Sequence, residues 1–310
     1  LRFNNPKPLC ALPLFILQEN FKSLMKSLFI WLVTLGSAVP LFAQSVQLLD
    51  SVTQEPIAYA HLVYLSNGKQ NGGLYTNPQG KATLANLGAK DSVVITCLGY
   101  SSIALAQQAL KDTLYLVPQA YALAEVNIYP KGQQKTEYLG TSRDKKSQTY
   151  TTYSGFKWLV FVANPAKENK LIKQFYFEIS KRASEGDYTA KVIFYENDND
   201  KPGRQINYEK TIVVNRETKR KITVDVSDAY LNLPPQGMYV GLEWVGCFEE
   251  RKLNAKCQLA VKSVTLDDNE DCAEQAYTLE PYRSKAFFDS NLNRAKGNCK
   301  VPVFGLFVFE

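Results

Sequence analysis

Apolar residues in this chain come in short alternating runs, broken by turn residues roughly every ten positions, and no long helical period interrupts them. A period of two puts successive side chains on opposite faces of a strand, so such a chain buries itself by stacking sheets. Composition agrees, with 18 Tyr and 16 Phe beside many Val, Ile and Thr. The reading is all-β. In residues 44 to 130 the expected strands are Ser45 to Asp50, Ala58 to Leu65, Gly73 to Thr76, Lys81 to Leu84, Ser92 to Leu98, Thr113 to Leu116 and Glu125 to Tyr129. Asn77-Pro78-Gln79-Gly80 is a turn between two of them, expected to join antiparallel neighbours, because proline presets φ and glycine accepts a positive one.

Residues 131 to 154 are polar and poor in aliphatic residues, and read as a linker. Beyond them, from 155 to 310, strand composition returns in Lys157 to Ala163, Leu171 to Lys181, Tyr188 to Glu196, Ile206 to Val214, Arg220 to Val226, Gly237 to Val245, Gln258 to Leu266 and Val301 to Phe309. Eight strands without a helix predict a second, jelly-roll-like sandwich with the last strand inside a sheet. Too few residues remain for a many-stranded membrane barrel.

The first 43 residues differ in kind. From Met25 a lysine precedes an apolar run, Leu28 to Val39, and a small residue at Ala43, which is the layout of a secretory signal over residues 25 to 43. The run is short for a membrane span. Residues 1 to 24 are expected to be upstream sequence preceding the true start. Cleavage after Ala43 removes four cations and one carboxylate, so the net charge of +6 falls to about +3. So small an excess gives no nucleic-acid footprint. Gln44, where a lipoprotein would carry cysteine, speaks against an N-terminal lipid anchor. The destination is therefore the periplasm, the outer surface or the medium, with no membrane span in the mature chain.

Export sets the cysteine chemistry. Cys97 lies in an apolar run and reads as a small buried hydrophobe, whereas Cys247, Cys257, Cys272 and Cys299 are expected to form two disulfides. Three pairings are possible; Cys247 with Cys257 and Cys272 with Cys299 is favoured, because the first pair can close a hairpin-like excursion. No C-x-x-C knuckle suggests zinc.

Several residues together carry a family likeness: Glu55-Pro56-Ile57-Ala58-Tyr59-Ala60, Gly73-Leu74-Tyr75-Thr76-Asn77 with Gly80, Cys97-Leu98-Gly99-Tyr100, and Leu123-Ala124-Glu125-Val126. In this order they resemble the carboxypeptidase-regulatory-like domain, a transthyretin-like β-sandwich found in secreted and outer-membrane bacterial proteins. The resemblance covers residues 44 to 129 and implies no peptidase activity. Asn77 and Cys97 depart from the usual pattern. The later region, through Lys201-Pro202-Gly203, Val224-Asp225-Val226 and Pro234 to Trp244, is similar to an uncharacterised sandwich that often follows that domain, and no activity transfers from it.

Candidate sites are few. Asp198, Asp200, Gly203 and Glu209 match an EF-hand count, but Pro202 stands at a ligand position and strands flank the loop, so a hairpin turn is expected. Asp267, Asp268, Glu270 and Asp271 crowd four carboxylates together and are the calcium candidates, though solvent alone can screen them. His61, the single histidine, is expected as a surface imidazole. Alternation places Trp244 in the core and Glu243 on the opposite face, with no second carboxylate to complete a glycosidase pair. No catalytic residue is assigned, and no cofactor is expected. The sequence favours a non-enzymatic exported protein that binds a glycan or an extracellular protein. The rivals are a carboxylate-dependent hydrolase in residues 155 to 310 and an envelope component pairing by β-augmentation.

Overall fold

The computed structural model describes residues 44–84, 87–88, 91–119, 135–141, 147–152, 154–182, 187–215, 217–249, 252–254, 259–267, 276–279, 294–295 and 298–310. Residues 44–310 form one compact unit, and its sheets are all β. The signal-like segment and the strand expected at 125–129 lie outside the described residues.

The first sandwich contains β1 (Gln44–Asp50), β2 (His61–Ser66), β3 (Lys69–Tyr75), β4 (Lys81–Leu84), β5 (Ser92–Thr96), β6 (Ile103–Ala106) and β7 (Thr113–Leu116). One sheet has the order β4-β1-β7, with β1 and β7 parallel; the other has the order β3-β2-β5-β6. Alternate residues Val46 and Leu48, Ala82 and Leu84, Val93 and Ile95, and Leu114 and Leu116 meet between the sheets, as period-two patterning requires. Strand β2 starts three residues later than expected because Tyr59 takes a left-handed φ of 56° and the chain turns there. The Asn77–Gly80 turn forms, with Gly80 at φ 70° and the Asn77 side chain accepting from the amides of Gln79 and Lys81. Its role differs from expectation. Strands β3 and β4 that it joins belong to opposite sheets.

The second sandwich begins earlier than expected. Within the presumed linker lie β8 (Thr136–Gly140) and β9 (Ser147–Thr152), which add to one of its sheets. They are followed by β10 (Lys157–Val162), β11 (Lys170–Arg182), β12 (Tyr188–Asn197), β13 (Pro202–Val214), β14 (Lys221–Asp225), β15 (Asn232–Leu233), β16 (Met238–Glu249) and β17 (Lys252–Asn254). The chain continues through β18 (Leu259–Asp267), β19 (Ala276–Leu279), β20 (Arg294–Ala295), β21 (Asn298–Pro302) and β22 (Phe304–Phe309). One sheet has the order β13-β12-β16-β10-β19, with β17 on β16. The other has the order β20-β21-β18-β11-β22-β8, with β14 and β15 on β11 and β9 on β18. The terminal strand β22 sits between β11 and β8, inside its sheet as predicted.

Between these sheets lie Trp158, Val160, Phe175, Phe177, Val192, Phe194, Leu242, Trp244, Phe304 and Leu306. The β13-β12-β16-β10-β19 sheet also carries a second apolar layer on its other face, built from Leu159, Ile193, Tyr195, Tyr239 and Tyr277. Strand β12 is consequently buried at eight successive residues from Tyr188 to Tyr195. On that same face, Gly241 of β16 faces β10 so closely that a Cβ would lie 1.9 Å from the Trp158 carbonyl oxygen. Gly241→Ala is therefore expected to destabilise the fold by about 3 kcal/mol, read as a lower urea midpoint at constant m.

Candidate functional site

A strand buried on both faces has no solvent side for a charge, yet β10, β12 and β16 each bring one to the second face: Lys157, Lys191 and Glu243. Register brings them together. Lys157 and Lys191 both lie opposite Glu243, on the strands flanking β16. Lys157 Nζ stands 3.2 Å from Glu243 Oε2, and Lys191 Nζ 2.8 Å from Glu209 Oε1 of β13. Tyr195 receives a long contact of 3.4 Å from Lys157 Nζ and donates its hydroxyl hydrogen to Gln205 Oε1 at 2.8 Å.

The first sandwich closes this cluster. Tyr75 of β3, itself buried, donates its hydroxyl hydrogen to Glu243 Oε1 at 2.5 Å. His61, opposite Tyr75 in register, stacks on the Tyr75 ring with centroids 4.5 Å apart and planes 11° apart. The expectation of a surface imidazole is corrected here. At Tyr75 the outward face of β2 and β3 meets the second sandwich, and the half-buried His61 beside it has its Nε2 shielded with no hydrogen-bond partner.

The electrostatics follow from this packing. Burial alone would raise the Glu243 pKa, but Lys157, Lys191 and the Tyr75 hydrogen bond outweigh it and hold the carboxyl down at about 2. Burial likewise opposes charge on Lys157 and Lys191, and their carboxylate partners nevertheless push both pKa values up. For His61 burial wins, with Lys157 and Lys191 adding to it against the pull of Glu243, and the pKa falls to about 4. Cys97 is a free thiol, and burial pushes it up to about 11, which makes it a poor nucleophile at neutral pH. The cluster thus holds charges in fixed pairs. Glu243, held ionised, is not poised as a general acid.

The other sequence candidates fall elsewhere. Asp198 to Lys201 form a two-residue hairpin turn, with Asn199 at φ 51° and Asp200 at φ 60°, the geometry of a type I′ connection. Asp267 ends β18, and Asp268, Glu270 and Asp271 lie outside the described residues, among which no cluster of metal-ligating side chains occurs. Cys247 is disulfide-bonded and opens the β16–β17 hairpin, pairing in register with Asn254; Cys257 and Cys272 lie outside the described residues, as does the side chain of Cys299. Trp244 is in the core and Glu243 is on the opposite face, as alternation predicts. Sequence reasoning missed Lys157, Lys191, Glu209 and Tyr75. The usable signal was a lone charge inside an apolar run, as in Ala190-Lys191-Val192 and Leu242-Glu243-Trp244.

No protein-family model and no curated protein matches the chain. Solved structures give faint likenesses. Over 87% of its length it is similar to infectious bursal disease virus VP2 in a subviral particle, at 11% identity, a TM-score of 0.22 and 65% of that chain. It is similar also to the T=1 particles derived from infectious bursal virus, at 10% identity, a TM-score of 0.19 and 63% of that chain. The chain thus spans under two thirds of either, and neither likeness enters the argument below.

Two outcomes are expected of the cluster. Glu243→Gln strands Lys157 as an uncompensated buried cation and should cost about 3 kcal/mol in urea unfolding. Because the folded pKa of His61 lies below its ordinary value of 6.5, its contribution is fully present above pH 6.5 and is lost as pH falls toward 4. The wild-type chain should lose up to roughly 3 kcal/mol more than His61→Gln over that interval, measured as the difference between their stability–pH curves.

Proposed function

We propose that this chain is an exported, non-catalytic protein of the cell envelope or cell exterior, a regulatory-like sandwich joined to a second β-sandwich that binds an extracellular glycan by surface complementarity. The observation that carries the reading is the pairing of the buried Glu243 and Lys191 with the half-buried Lys157 and Glu209. Groups paired in this way serve packing rather than acid–base chemistry, and Tyr75 extends the network to the first sandwich. Glu243, held ionised and engaged by Lys157 and Tyr75, does not suit the general-acid role of a glycosidase pair.

Export supplies the oxidising setting for the cysteines of the last quarter. Pairing of Cys247 with Cys257 suits the β16–β17 hairpin, since Cys257 follows the strand residue Asn254 by three positions. Cys272 with Cys299 would then make the second bridge.

The test uses material from the native host. Intact-mass analysis of the extracytoplasmic fraction should find a chain starting at Gln44 with two disulfides. A cytosolic species that keeps residues 25–43 and carries free thiols at Cys247, Cys257, Cys272 and Cys299 would overturn the proposal.

A further inference from the structure

A groove of about 580 Å³ opens where β8, at the edge of one sheet, meets the outer face of β10 and β16. Tyr138 and Thr141 form one side, Phe161 and Tyr239 the floor, and Pro165 and Asp200 the rim. Its size is that of a small-molecule site.

The floor has one orientation. Phe161 and Tyr239 are partners in register, with ring centroids 5.2 Å apart. A Cβ on Gly237 would lie 2.6 Å from the Phe161 ring, so only glycine lets the ring rest there. Tyr239 is wholly buried, while Phe161 stays partly exposed and offers the groove an apolar surface.

The rim is fixed as well. Hairpin tips are ordinarily loose, but this one is tied down by Tyr277, whose hydroxyl donates to the Asp200 carbonyl at 3.1 Å, and by Asn197 Nδ2, which donates to the Gln236 carbonyl at 2.9 Å. Asn197 Oδ1 also accepts from the Asp200 amide at 2.9 Å. The Asp200 carboxylate itself makes no hydrogen bond or ion pair among the described residues. Thr141 also lines the groove, but its Oγ1 is shielded from solvent and so closed to a ligand.

We propose that this groove is a subsite for a neutral glycan, in which a pyranose lays its C–H face on Phe161 and donates hydroxyl hydrogens to the Asp200 carboxylate. The ligand class follows from the chemistry: the half-buried rings of Phe161 and Tyr138 ask for a flat apolar face, and the carboxylate acceptor asks for hydroxyl donors at the edge of that face. A cation is the poorer match, because Lys201 adjoins Asp200 and brings a positive charge beside that carboxylate. The assignment rests on the reading of the chain as an exported binding protein.

The test is a titration of the full chain with neutral glucan, xylan, mannan, galactan and chitin oligosaccharides, alongside a lysine- and arginine-rich peptide, with and without chelator. One of the neutral sugars should bind, unchanged by chelator, and both Phe161→Ala and Asp200→Asn should weaken it about tenfold or more, with Asp200→Asn keeping the wild-type unfolding midpoint. Sugar binding that survives Asp200→Asn undiminished overturns the groove while leaving the binding function intact. Blank titrations with every sugar, or binding of the basic peptide alone, overturn the glycan assignment; native export and disulfides in the intact-mass test would show that the wider reading had not failed with it.

Discussion

Neutralisation of charge on a doubly buried sheet is the constraint around which this molecule is arranged. The β13-β12-β16-β10-β19 sheet gives one face to the large aromatic core and the other to a second apolar layer. A bare carboxylate on that second face would carry a desolvation cost of several kcal/mol. Glu243 avoids it by drawing on Lys157 beside it, Lys191 on the other flank and a tyrosine from the neighbouring sandwich. The geometry that solves the electrostatic problem also fastens two sandwiches that share no strand.

Tyr75 links these levels. Its ring stacks with His61 across the β2–β3 ladder, its backbone holds the end of β3, and its hydroxyl satisfies a carboxylate 168 residues away. A second polar device works within the first sandwich: Asp50 accepts from the amides of Val52 and Thr53 and from the Tyr100 hydroxyl, which ties the β1 turn to the Leu98-Gly99-Tyr100 segment. Both use a tyrosine to join segments distant in sequence, because its ring buries apolar area while its hydroxyl reaches a fixed acceptor.

How much of this was readable beforehand depends on the range of the forces involved. Alternation located β1, β4, β7, β10 and β12 well, since period two is local, whereas the single strand expected from Val301 to Phe309 is broken at Val303 between β21 and β22. It missed β6, whose two alanines blur the pattern, and β8 and β9, which are polar enough to pass for a connection and become strands by adding to β22 and β18. The Asn77–Gly80 turn was evident from its chemistry, but the assignment of its flanking strands to opposite sheets was not. Face assignment at Glu243 and Trp244 was correct for the same local reason. His61 was misplaced because alternation tells which face a residue takes, never what comes to lie against that face. The groove was beyond reach, being made from a hairpin tip, an edge strand and two central strands that meet only in the fold.

One consequence concerns how such a chain can change. The contact that sets one sandwich against the other runs through side chains on Tyr75 and Glu243, 168 residues apart in the chain. Tyr75 and Glu243 are thereby coupled among descendants, so that replacement of either is expected to be matched by replacement of the other.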